Sequence, residues 1–90
     1  MSQENYTKVP TNWVLLEDLI PNFDSSKTYQ IYNNGISTIK CLESDTLPAD
    51  DAEGGRPLYQ DCTAVYEKGA QNVYVKALSD DTYVNITKVG

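Results

Sequence analysis

In the run Thr28-Tyr29-Gln30-Ile31-Tyr32-Asn33-Asn34-Gly35 the side chains alternate, with Tyr29 and Ile31 on one face and Gln30 and Tyr32 on the other. A period of two is the mark of a half-buried strand, because successive side chains of extended backbone point to opposite faces. Asn34-Gly35 follows directly, and both residues tolerate the positive φ of a type I′ turn. The stretch predicts a hairpin, with Ile36 to Leu42 as the return strand and Ile39 and Cys41 on a shared face.

The same period recurs toward the C-terminus. Asn72 to Leu78 places Val73, Val75 and Ala77 on one face and Tyr74, Lys76 and Leu78 on the other. Ser79-Asp80-Asp81 reads as a turn, and Thr82 to Val89 alternates again with Val84 and Ile86 inward. Residues 58–67 read as a strand, strongest over Thr63 to Glu67, and Lys68 to Gln71 as the turn after it. Toward the N-terminus, Asn22 to Lys27 is turn chemistry. Trp13 to Ile20 is either a strand or one to two turns of helix capped by Asn12 and stopped by Pro21. Residues 43–57 carry Pro48, Gly54, Gly55 and Pro57 and form a long acidic loop. Short strands separated by turns at this spacing predict an all-β fold, a small antiparallel β-sandwich or barrel spanning residues 13–90 as a single domain. Residues 1–12, polar and without periodicity, read as an extended N-terminal arm.

The chain has 90 residues, with 7 Lys+Arg against 13 Asp+Glu and a net charge of −6. That balance disfavours nucleic acid as a partner, since neutralising phosphates with cations supplies most non-specific affinity. It disfavours an anionic membrane surface for the same reason. Leu, Ile, Val and Phe total 20 residues, just above the composition at which chains stay disordered. Seven Tyr and one Trp add the area a packed domain needs, and a core this small gains from burial against a partner. The N-terminal segment has no basic start followed by an apolar run, which predicts a chain made in a cytosol. There is no His, which removes the commonest general base and metal ligand, so the expectation is a non-enzyme without cofactor.

Several clusters in the sequence are candidate sites. Asp45, Asp50, Asp51 and Glu53 could offer oxygens to Ca²⁺, but their spacing does not match a calcium loop and they read as a solvated face. Cys41 and Cys62 fall on separate predicted strands and read as free thiols rather than a disulfide. The carboxylate pairs Glu17-Asp18 and Asp80-Asp81 lack the cleft that paired acid chemistry requires, and the sequons at Asn5 and Asn85 mean nothing in a cytosol. No catalytic or metal-binding residue is assigned. Tyr32, Tyr74 and Tyr83 remain, all on faces predicted to point outward. They are the candidate protein–protein interface, because tyrosine buries a large area at small entropic cost while keeping a polar tip. The competing explanation is that they cover a second buried sheet face.

Three segments carry a resemblance: Lys27-Thr28-Tyr29-Gln30-Ile31-Tyr32-Asn33-Asn34-Gly35, Pro48-Ala49-Asp50-Asp51-Ala52-Glu53-Gly54, and the run from Val73 to Ile86, with its Val73-Tyr74-Val75-Lys76-Ala77-Leu78-Ser79-Asp80 start. Across residues 13–90 the chain resembles small structural proteins of tailed bacteriophage virions, of head-decoration, head-fibre or tail-associated type. The resemblance implies a β-structured virion component made in the bacterial host cytoplasm. Its partners would be itself, as a homo-oligomer such as a trimer, and the major capsid or other virion proteins, with no nucleic acid and no membrane. A capsid decoration or head-associated protein is the leading expectation. Its rivals are a small acidic inhibitor of a host nucleic-acid-binding protein and a carbohydrate-binding adhesin using Trp13 or the tyrosines as platforms.

Overall fold

A computed structural model of the chain describes residues 4–20, 22–49, 52, 54–67, 72–80 and 82–89, the side chains of Glu4 to Tyr6 excepted. Its strands are β1 (Glu4–Val9), β2 (Val14–Leu15), β3 (Thr28–Asn33), β4 (Ile39–Ser44), β5 (Arg56–Leu58), β6 (Thr63–Glu67), β7 (Asn72–Ala77) and β8 (Thr82–Val89). They form two antiparallel four-stranded sheets, ordered β1-β8-β3-β6 and β2-β7-β4-β5. The fold is therefore all-β and sandwich-like, as the alternation predicts. Tyr29, Ile31, Val84 and Ile86 of the first sheet and Ile39, Val75 and Ala77 of the second meet in one core. Each of these larger aliphatic side chains contributes about 1.5–3 kcal/mol by leaving water.

The predicted hairpin does not form. β3 lies in the first sheet between β8 and β6, whereas β4 lies in the second between β7 and β5. The chain arches over the end of the core instead of turning back beside itself. Neither Asn34 nor Gly35 has a positive φ, so no type I′ turn is present. The C-terminal pair behaves the same way: β7 and β8 belong to opposite sheets. The reason is that period-two patterning says which face is apolar but not which sheet the next strand joins. Ile31 and Ile39 bury equally well facing each other across the sandwich as side by side.

The two arches stack, because β3 pairs β8 in one sheet and β4 pairs β7 in the other. A polar layer ties them. Asn33, wholly buried, donates from its amide to Ser37 O and Leu58 O, both at 2.9 Å, and accepts Gly35 N–H at 3.1 Å. Ser79 N–H donates to Ser37 Oγ at 3.1 Å, and Leu78 N–H to Thr38 O at 2.9 Å.

Two further expectations change. From Glu4 to Val9, the segment read as an arm is strand β1, paired along its length with β8. Val9, 1% exposed, is its main apolar anchor among the described side chains, too little to show as a period in sequence. Residues 13–20 are neither one strand nor a regular helix. Val14–Leu15 pairs with β7, then Leu16–Leu19 makes a single 3-10 turn that buries Leu16. Its N-terminal cap is Leu15, with no side-chain cap bond, so Asn12 does not serve.

Candidate protein interface

The predicted tyrosines are divided between the two sheets. Tyr32 and Tyr83 share the outer face of the first: Tyr32 pairs with Asn85, two residues along β8 from Tyr83. Tyr83 is 40% exposed. Tyr32 is half-buried, and its hydroxyl donates to Asp61 Oδ1 at 2.7 Å. That bond, with smaller help from desolvation and the Asp61 charge, raises the Tyr32 ionisation above its ordinary value.

Tyr74 departs from the expectation of an exposed side chain. Its neighbours Val73 and Val75 pack into the core, so it does belong to the outer face of its sheet, yet it is only 8% exposed. Leu15 and Leu42 lie opposite it on the flanking strands. Trp13, 3% exposed, belongs to the same covered layer, with Lys76 Nζ 5.6 Å from its ring centre. A hollow beside it is lined by Lys40, Ala52 and Leu78 as well. Trp13 thus has little surface to offer a sugar, and Tyr74 little to offer a partner.

The acidic loop is described only in part, since Asp50, Asp51 and Glu53 lie outside the described residues. So do Pro21, Asp81 and the Lys68 to Gln71 turn. Among the described residues no group of three or more Cys, Asp or Glu is placed to hold a metal.

What the tyrosine pattern does not reveal is an opening in the sandwich. β6 ends the first sheet and β5 ends the second on the same side. Between these edges runs a groove of about 890 Å³ that reaches the core at Ile31, Leu58 and Tyr66 and is walled by Cys41, Ala64 and Val73. The Tyr66 hydroxyl donates to Glu17 Oε1 at 3.3 Å, anchoring the floor to the 3-10 turn. Burial, then the Glu17 charge and hydrogen bond, push the Tyr66 phenol up to about 12.

β5 is held against β4 through Gly55. With φ at +111° and space for no more than a hydrogen, it lets the backbone approach Cys41 O, which a Cβ would meet at 2.8 Å. β6 is set at its start by the Tyr59–Cys62 turn. Asp61, at φ 64°, donates its N–H to Asn33 O at 2.9 Å.

The groove rim carries exposed apolar groups, Tyr59 at 59% and Val65 at 64%. The strand edges differ in protection. β1 carries Lys8 and leads into Pro10, β2 has two residues, and β5 has Pro57 at its centre. Lysine, proline and shortness are devices that blunt an edge against pairing. β6, Thr63-Ala64-Val65-Tyr66-Glu67, has none of them. That absence was legible in sequence, but β6 could not be known as an edge without the topology.

Both cysteines are free and both border the groove. Cys41 sits on β4 with its thiol pushed up to about 11, chiefly by burial, while Cys62 is exposed before β6. Since the thiolate is the reactive form, a disulfide-exchange reagent at pH 8 is expected to titrate one thiol rapidly. The second, Cys41, half-buried in the groove wall, should react much more slowly. Equal rates for both in the native protein would contradict the burial of Cys41.

No family model matches the chain, and comparisons with curated proteins and with solved structures found no match.

Proposed function

We propose that this chain is a non-enzymatic structural component of a bacteriophage virion, a capsid decoration or head-associated protein made in the bacterial cytoplasm and incorporated into the particle. The observation that supports it is the open side of the sandwich, where an unprotected strand edge borders an apolar groove. A domain of 90 residues gains a larger fraction of its stability from such an edge being covered than a large one would. Folding and assembly are then linked by mass action. Its partners in this reading are further copies of itself and the major capsid or other virion proteins. The acidic surface and the exposed outer face of the first sheet, with Tyr83, stay turned to solvent or to the lattice.

The test is quantitative mass spectrometry of purified particles from an infection in which the chain is expressed. The expected result is a fixed stoichiometry, tens to hundreds of copies per particle, on the order set by closed or lattice symmetry. Particles that contain none of it would overturn the proposal.

A further inference from the structure

Edge strand β6 presents a backbone that is complementary to itself. Asn33 N–H donates to Cys62 O at 3.0 Å, so Asn33 directs its backbone groups toward the β6 side. In an antiparallel ladder these directions alternate residue by residue. Tyr29 and Ile31 therefore bond across to Tyr66 and Ala64, their partners in register. The N–H and C=O groups of Thr63, Val65 and Glu67 point the other way, off the edge, and among the described residues no strand lies beyond them.

We propose that the occupant of this edge is β6 of a second copy of the chain, running antiparallel about a two-fold axis at Val65. The proposal rests on the reading of the open side as an assembly surface, and it names what covers it. With Val65 facing Val65, Thr63 of each copy faces Glu67 of the other. All three are pairs whose backbones exchange both bonds, giving about six hydrogen bonds at two per pair.

The side chains agree with this register. No carboxylate opposes a carboxylate, since the strand's one charge, Glu67, meets a threonine. The two exposed valines cover each other on the outer face. On the inner face Ala64 meets Tyr66, small against large. The axis stands perpendicular to the sheet, so both inner faces lie on the same side. The two apolar grooves merge beneath a continuous eight-stranded sheet. A two-fold of this kind is isologous and closes at the dimer.

The experiment is light scattering after size exclusion over a concentration series, in about 0.15 M salt so that the net charge of −6 on each copy is screened. The wild-type chain, V65K and V65P are compared. V65K would set two ammonium groups across the axis. V65P removes an outward N–H that β3 does not use, so circular dichroism should show both variants folded. The expected result is a concentration-dependent dimer for the wild type, weakened at least tenfold in V65K and absent in V65P.

A wild-type monomer up to about 1 mM, where even weak association is visible, would overturn the proposal. A dimer that survives both substitutions would also overturn it. So would Val65 amide protection from hydrogen exchange that arises only when another virion protein is added, because the edge would then belong to a foreign strand. None of these outcomes depends on whether the chain is found in particles, so failure here and failure of the virion reading are told apart.

Discussion

Replacing Asn33 with alanine is expected to remove about 3–5 kcal/mol of folding stability, since two buried carbonyls and a partly buried N–H lose their partner at roughly 1–3 kcal/mol each. The groups are Ser37 O, Leu58 O and Gly35 N–H. Asn33 is wholly buried, so water does not readily replace its amide. Small domains hold only about 5–15 kcal/mol in total, so the denaturant midpoint should fall by a large fraction with little change in slope. Asn33→Asp tests the mechanism. The carboxylate can still accept from Gly35 but cannot donate to the two carbonyls, and it adds a buried charge. It should be at least as damaging as alanine. A cost below about 1 kcal/mol for alanine, the worth of one ordinary hydrogen bond, would show that the arch is held by something else.

Gly35→Ala is the second large effect, and its cause distinguishes the arch from a hairpin. A Cβ at this position would overlap Thr82 Oγ1 and lie 2.8 Å from Tyr83 N. In a type I′ turn the same substitution would cost about 1–2 kcal/mol for an unfavourable left-handed φ. Here φ is not positive, and the cost comes from collision with β8 instead. Overpacking of this kind costs about 1–3 kcal/mol and more where backbone must move, so a loss of about 3 kcal/mol or more is expected by thermal or denaturant unfolding. Combining it with Thr82→Ala should recover part of that loss by removing the hydroxyl. Recovery is incomplete, because the Tyr83 backbone and the position 82 Cβ remain close. A loss near 1 kcal/mol that Thr82→Ala leaves untouched would contradict the close approach and restore the turn reading.

Asn34-Gly35 signals a hairpin that the fold does not contain, because the contacts that shape this segment are not local. The dipeptide is a good turn signal because both residues relax local φ restrictions, and nothing within ten residues argues against it. The deciding contacts come from Leu58, Thr82 and Tyr83, far along the chain. The tyrosines show the same limit. Alternation put Tyr32, Tyr74 and Tyr83 on outer faces, and each does lie opposite a core-facing set. Whether an outer face is wet was beyond it. Tyr74 is covered while Tyr83 is open. β1 leaves no period in the sequence because Val9 alone carries its buried apolar side among the described side chains.

The sequence by itself determined that this is an all-β chain. It placed strands at β3, β7 and β8 nearly to the residue, and β6 within a longer stretch 58–67 that the structure breaks by a turn, with Ile31, Val75, Val84 and Ile86 facing inward. These are properties of a few consecutive side chains, and a period of two is written locally. Only the tertiary structure decided which strands are neighbours, that consecutive strands arch between sheets, and that β5 and β6 leave one side of the sandwich open. Those outcomes rest on pairings between segments tens of residues apart. There the cost of closing a loop grows only slowly with its length, and so gives little preference for the nearest strand over a distant one. What selected the partner was the fit of buried polar and small groups, Asn33 beneath two carbonyls and Gly35 against β8.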